Sequence, residues 1–139
     1  MILACHLGAR MAARGYGRIV NVTSVHGSYG QEAYLAYDVS KAGLNQATRS
    51  LAVDFASGGV LVNAVAPGFV DTPMSRSDGT PAHEQQWFVD VYQRHRKLPL
   101  GRQASAAEIA EAVAWLASER NSYTTGHVLT IDGGLTATF

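Results

Sequence analysis

The sequence predicts an α/β fold built on a parallel sheet of about three strands joined by crossover helices. Three observations carry that prediction. Two short β-branched runs, GRIVNVTS at 17–24 and VLVNAVAP at 60–67, have the composition of strands buried on both faces. Between them lies a helical pattern from Leu35 to about Ala56, the kind of crossover that a parallel strand pair requires. A capping box, SAAE at 105–108, then opens another helix ahead of a last apolar run, HVLTIDGG at 127–134.

Taken in order, residues 2–14 read as a helix with Ile2, Leu3, Ala9 and Ala13 among its apolar positions, and Gly15 stands where a left-handed cap belongs. No Ser, Thr, Asp or Asn precedes it, so the chain is expected to begin inside an element. The first strand leads into a glycine-bearing loop, VHGSYGQEA, at 25–33. At about 100° per residue, Leu35, Val39, Ala42 and Val53 share one face of the next helix, and Leu44, Leu51 and Phe55 lie on nearly the opposite one. Two apolar faces predict a helix covered on both sides, by the sheet and by another helix or subunit. Pro67 and Gly68 end the second strand and turn the chain. Thr80 and Pro81 are expected to cap and start a helix carrying Trp87, Phe88, Val91 and Tyr92. In the SAAE box, Ser105 and Glu108 satisfy each other's free backbone donors and open a helix through Trp115 and Leu116. Two glycines stop the third strand.

Composition narrows the functional classes. With 139 residues, 47% of them hydrophobic, the chain is expected to form one compact unit over 1–139. Eleven basic and eleven acidic residues balance to zero, which leaves no electrostatic footprint for nucleic acid or an anionic membrane. Small molecules are the expected partners. The single cysteine, Cys5, is expected to be a buried apolar group in a reducing compartment. No apolar run approaches the roughly 18 residues needed to span a bilayer, so the expected location is cytoplasmic. No spacing of His, Cys, Asp and Glu suggests a metal site, and there is no internal repeat.

The stretch YDVSK, residues 37–41, carries the chemistry. Tyr37 and Lys41 are one helical turn apart and therefore neighbours. A tyrosine ordinarily titrates near pH ~10, too high for proton exchange at neutrality, and a fixed ammonium beside a phenol stabilises the phenolate. The bland alternative is a surface tyrosine with an ordinary lysine. Ser24 ends the first strand on the edge where parallel sheets place ligands, and its hydroxyl can polarise a carbonyl; the plain reading is a serine that terminates a strand. Pro67 and Gly68 end the next strand on that edge, so the two ends share a crevice wall. His26 reads as a hydrogen-bonded loop histidine or as a substrate-facing one. His83 and His95 are expected to be solvated. Arg94, Arg96 and Lys97 read as a wet charged face or as a contact for an anionic group.

In order and spacing, IVNVTS, Ser24 thirteen positions before Tyr37, YDVSK, VNAVAPGFVDT at 62–72 and GHVLTIDGG at 126–134 resemble the short-chain dehydrogenase/reductase family over essentially the whole chain. The resemblance implies the C-terminal half of a Rossmann-type doubly wound parallel sheet. It implies an oxidoreductase that uses NAD or NADP to interconvert an alcohol and a ketone. By that likeness Tyr37 exchanges the substrate proton, Lys41 holds the nicotinamide ribose and eases loss of the tyrosine proton, and Ser24 orients the carbonyl. Pro67, Gly68, Val70 and Thr72 match residues that line the nicotinamide. Residues 74–98 match a variable substrate lid in which Trp87, Phe88 and Tyr92 either close over the pocket or pack a helix. The helix from Leu35 matches a dimer helix, so an intact enzyme would be a homodimer or homotetramer.

The pattern departs from the family at its start. A TGxxxGxG turn, the residue that selects NAD or NADP, an NNAG-like segment and an asparagine before the first helix are absent. The N-terminal dinucleotide-phosphate-binding half is therefore expected to be missing, with the first strand left as a bare apolar edge. This motivates the alternative expectation of a truncated, catalytically inactive fragment or interaction module. Sugar or polyol oxidoreductases and 3-oxoacyl reductases fit the motifs equally.

Overall fold

A computed structural model describes residues 2–77 and 79–138. Helix α1 (Ile2–Ala12) ends in a turn to Gly15, whose φ of +74° supplies the left-handed conformation that stops it. Strand β1 (Gly17–Val22) follows, then a single 3₁₀ turn at Val25–Gly27 and the long helix α2 (Leu35–Phe55). Strand β2 (Val60–Pro67) returns parallel to β1, in register from Gly17 opposite Val60 to Val22 opposite Val65. Past Pro67 come three two-residue strands, β3 (Val70–Asp71), β4 (Arg76–Ser77) and β5 (Thr80–Pro81), the last two paired antiparallel. A short helix α3 (Gln86–Phe88) widens into a π-helical turn over Val89–Arg94. Strand β6 (Ala104–Ser105) pairs parallel with β3 and delivers the chain to α4 (Ala106–Ala117), and β7 (Val128–Ile131) lies parallel to β2.

The main sheet has the order β1-β2-β7, so β2 is central. That position explains its burial: Val60, Val62, Ala64, Val65 and Ala66 are covered from both sides. Helices α1 and α2 cover one face, where Leu51, Ala52, Val60 and Val62 form a cluster with Met11, Ile19 and Phe55. Gly8 permits this closeness, because a Cβ there would stand 2.2 Å from the Phe55 ring. Helix α4 covers the other face through Ile109 and Leu116 against Val65, Val20 and Leu129. Each such fully buried aliphatic side chain contributes about 1.5–3 kcal/mol. The buried Asn63 side chain, in the middle of this apolar layer, bonds Thr124 O at 2.7 Å and accepts from His127 N at 3.0 Å, which fixes the approach to β7.

The capping box forms as the sequence predicts: Ser105 Oγ accepts from Glu108 N (3.3 Å) and the Glu108 carboxylate accepts from Ser105 N (2.8 Å). Arg102 adds a two-pronged ion pair to the same carboxylate. That guanidinium, with the Ser105 backbone N–H, holds Glu108 down from 4.5 to about 2.

Four expectations change. Strand β1 is only partly covered, with Val22 exposed, because its outer edge has no partner among the described residues. Helix α2 buries only one of its apolar faces: Leu35, Val39 and Val53 are exposed by 78%, 63% and 79%. Thr80 and Pro81 do not start a helix; they form β5 opposite β4, and the helix begins at Gln86 with no side-chain cap at Gln85. Cys5 is exposed rather than buried, because it lies on a part of α1 that the sheet does not cover. Among the described residues, no helix is long and apolar enough to cross a membrane.

Candidate active site

Two strand ends and one helix start build the site. Thr23 extends the β1 ladder by one bond, its N–H donating to Val65 O at 2.8 Å, so Ser24 emerges at the C-terminal edge of the sheet in extended conformation. Ser24 is buried, and its Oγ accepts from His26 N at 3.2 Å as the cap of the Val25–Gly27 turn. The cap uses a lone pair and leaves the hydroxyl hydrogen free to donate. Beyond the loop, Tyr37 occupies the first turn of α2 and stays 38% exposed, available to a ligand. One turn on, Lys41 donates from Nζ to Val22 O at 3.2 Å and lies 5.4 Å from the centroid of the Tyr37 ring. The ammonium is thus tied to the end of β1 and held against the phenol.

Ser24, Tyr37 and Gly68 border one cavity of about 330 Å³, closed by Phe69, Met74, Tyr92 and Leu135. Lys41 stands beside this cavity, outside its wall. Pro67, Val70 and Thr72 are also outside it: Pro67 is buried in register with Ile131, Val70 pairs with Ala104 and joins the α4 cluster, and Thr72 caps the turn Pro73–Ser75. Gly68 is required where it is, since a Cβ would stand 2.8 Å from that of Asp132. Asp132 in turn folds the C-terminal turn that carries Leu135. Burial alone would raise its carboxyl, but hydrogen bonds from Thr136 and from Gly134 N outweigh this and set it below the usual range.

His26 is a hydrogen-bonded loop histidine whose ring also borders the cavity. Its Nδ1 lies 2.6 Å from Asp38 Oδ1, and its ring borders the cavity, 5.4 Å from the Tyr37 ring edge-on and 5.3 Å from Tyr34. Asp38 also accepts from Gln31 N at 3.2 Å, and the His26 hydrogen bond leads the causes that lower its carboxyl. Loop 25–31 is therefore stapled to the first turn of α2. Sequence reasoning passed over Asp38; its signal was an acid in the first turn of a helix, adjacent to the tyrosine.

The lid aromatics separate by role. Phe88 is wholly buried, Trp87 is half exposed, and Tyr92, whose hydroxyl burial pushes up, faces the cavity from the π-helical turn. Arg94 pairs with Asp90 at 2.9 Å on an exposed face, and Arg96, Lys97 and His95 are exposed, as a wet charged surface should be. His83 is half-buried instead, 2.8 Å from Gln103 Oε1. Asn45, one turn past Lys41, is buried with its amide unpaired, against Gly27.

Comparison with known proteins meets this geometry. A family described as Enoyl-(Acyl carrier protein) reductase matches residues 1–136. Cis-4-hydroxycyclohexanecarboxylate dehydrogenase of Sinomonas cyclohexanicum is 43% identical over 132 residues, covering 95% of this chain and 50% of that protein. The 3-oxoacyl-[acyl-carrier-protein] reductase of Thermotoga maritima is 42% identical over 119 residues, 86% of this chain and 45% of that one. The chain spans about half the length of the curated relatives it matches. Among solved structures, gluconate 5-dehydrogenase of Burkholderia cenocepacia, in complex with NADP and tartrate, superposes with a TM-score of 0.85 at 29% identity, over 98% of this chain and 51% of that one. Acetoin dehydrogenase YohF of Salmonella typhimurium gives 0.78 at 35% identity, over 98% and 50%. With a family match across nearly its whole length and the parallel α/β architecture of these oxidoreductases, the chain belongs to the short-chain dehydrogenase/reductase family.

Proposed function

We propose that this chain is the catalytic half of an NAD(P)-dependent oxidoreductase that interconverts an alcohol and a ketone at Tyr37, Lys41 and Ser24. One observation carries the reading: a phenol and a buried hydroxyl border the same cavity at the sheet's C-terminal edge, with an ammonium held beside the phenol. In the reducing direction the Ser24 hydroxyl donates to the substrate carbonyl oxygen and fixes its orientation. Tyr37 Oη gives its proton to that oxygen as the alcohol forms, and the Lys41 ammonium stabilises the phenolate left behind. In oxidation the phenolate takes the proton back. The nicotinamide cofactor, when bound, supplies or accepts the hydride at the carbonyl carbon.

The donors present fit the nicotinamide end of such a cofactor. Lys41 spends one donor on Val22 O and has others for ribose hydroxyls, with its ammonium 5.4 Å from the centroid of the Tyr37 ring. Pro67, Gly68, Val70 and Thr72, at and just past the end of β2, are the residues assigned to the ring and carboxamide. For the pyrophosphate, the described residues offer no glycine-rich turn at a helix N-terminus, and this favours a second reading, an inactive fragment or interaction module. The names of the related enzymes, a hydroxycyclohexanecarboxylate dehydrogenase and a 3-oxoacyl-[acyl-carrier-protein] reductase among them, support an alcohol or ketone as the substrate class.

Titration with NADPH and NADH separates the two readings: dissociation constants in the ~μM range support the enzyme, whereas no binding at ~1 mM supports the fragment. Tyr37→Phe should lower kcat by about 10²-fold or more with cofactor affinity retained. Undiminished turnover in that variant would sink the assignment.

A further inference from the structure

We propose that His26, oriented by Asp38, is a specificity residue whose Nε2 meets a second oxygen-bearing group of the substrate, a hydroxyl or a carboxylate, while the reacting carbonyl lies at Tyr37 and Ser24. The catalytic side of this inference rests on the oxidoreductase reading above; its binding side does not.

The argument starts from the proton. Asp38 is held ionised by its hydrogen bonds from His26 and Gln31 N, and an ionised carboxylate only accepts. The proton of the neutral ring therefore sits on Nδ1, and Nε2 is the nitrogen left for a ligand: it accepts from a hydroxyl as it stands, and meets a carboxylate only as the imidazolium, with a second proton on Nε2 to donate. Among the described residues Nε2 has no hydrogen-bond partner, and it is not among the buried unpaired atoms, so it is open to a bound molecule. The ring cannot swing freely. Asp38 grips one edge at 2.6 Å, and Tyr34 and Tyr37 pack against it at 5.3 and 5.4 Å. Those contacts place Nε2 within a small molecule's length of the Tyr37 phenol.

The rest of the wall defines what fits. Val25, Phe69, Met74 and Leu135 are apolar, Gln31 is polar but uncharged, and among the described residues no Lys, Arg, Asp or Glu side chain borders the cavity. A multiply charged substrate, such as a phosphate ester, would find no countercharge there. The chemistry matches a free ketone with an apolar body and one further oxygen group, anchored at two points. Two anchors fix which carbon is presented to the phenol, a selectivity that an apolar wall alone supplies poorly. Asp38 touches no substrate in this scheme; it is a positioning residue acting through His26.

The test uses three matched ketones: methyl propyl ketone, its terminal hydroxy analogue, and levulinate. The wild-type chain should prefer one or both oxygen-bearing ketones in kcat/KM, and whichever is preferred identifies the group. His26→Ala should reduce that preference about tenfold or more, chiefly through KM. Asp38→Ala should do the same, and Asp38→Asn, whose amide oxygen still accepts from Nδ1, should recover most of it, which a purely structural role would not produce. Equal losses for all three ketones overturn the proposal. A second measurement is independent of turnover: the His26 ring resonances are followed by NMR while levulinate, the hydroxy ketone or methyl propyl ketone is added. A shift specific to an oxygen-bearing ketone supports the contact even if no ketone is turned over, in which case the oxidoreductase reading alone fails. No shift with either overturns the proposal regardless of activity.

Discussion

Replacing Phe88 by alanine tests the packing that supports the site. Phe88 is wholly buried, in a cluster with Ala82 and Leu98, and its ring meets Phe69 at 5.1 Å, Tyr92 at 5.2 Å and Trp87 at 5.7 Å. A phenylalanine buries about 150–250 Å², which at ~25 cal/mol per Å² is roughly 4–6 kcal/mol of transfer energy as an upper bound. Measured truncations of this kind fall at about 3–5 kcal/mol, so about 4 kcal/mol is expected here. Native domains are stable by roughly 5–15 kcal/mol, so the variant should remain folded when cold and its loss be measurable by urea unfolding followed by far-ultraviolet circular dichroism. Trp87→Ala is the control: the neighbouring side chain is 47% exposed, and the expected loss is about 1 kcal/mol or less. Phe69 and Tyr92 lean on Phe88 and border the cavity, so substrate KM should rise in the Phe88 variant beyond its rise in the Trp87 variant. The reasoning fails if Phe88→Ala costs under ~1 kcal/mol, or if the two truncations cost the same.

Other predictions concern the cap and the loop. Because the Glu108 carboxyl is depressed from 4.5 to about 2 in the folded chain, its stabilising effect is complete above pH ~4.5 and is lost as pH falls toward 2. Melting temperature measured across that window should fall less steeply in Glu108→Gln than in the wild type; identical slopes would rule out this contribution. Gly27→Ala should destabilise by about 1–3 kcal/mol, since the new Cβ would lie 2.3 Å from Asn45 Nδ2 and 3.0 Å from Lys41 O. Adding Asn45→Ala should return part of that loss, as a double-mutant cycle in chemical denaturation would show; strict additivity would mean the loop avoids Asn45 by another route.

Local signals were legible wherever their cause is short-range. The β-branched runs became β1 and β2, Gly15 took its left-handed turn, and Ser105 with Glu108 capped α4, because strand propensity, backbone sterics and capping are settled within a few residues. The spacing of Tyr37 and Lys41 fixed their adjacency through helix geometry alone. What lay between elements was not legible. Thr80 and Pro81 look like a helix start until Arg76 and Ser77 offer a strand to pair with. The two apolar faces of α2 are equivalent in sequence, and only the sheet's position determines that Leu51 is buried while Val53 is not.

The sequence by itself determined the α/β alternation, the strand ends that carry Ser24 and Gly68, and the placement of phenol and ammonium on one helix face. Tertiary structure alone decided that Ser24 and Tyr37 border a common cavity, that Lys41 is tied to Val22 O, and that Asp38 grips His26, twelve positions earlier in the chain. The division follows from range: periodicity and capping are written in neighbouring residues, whereas a cavity wall exists only after segments far apart in the chain have been packed against one another.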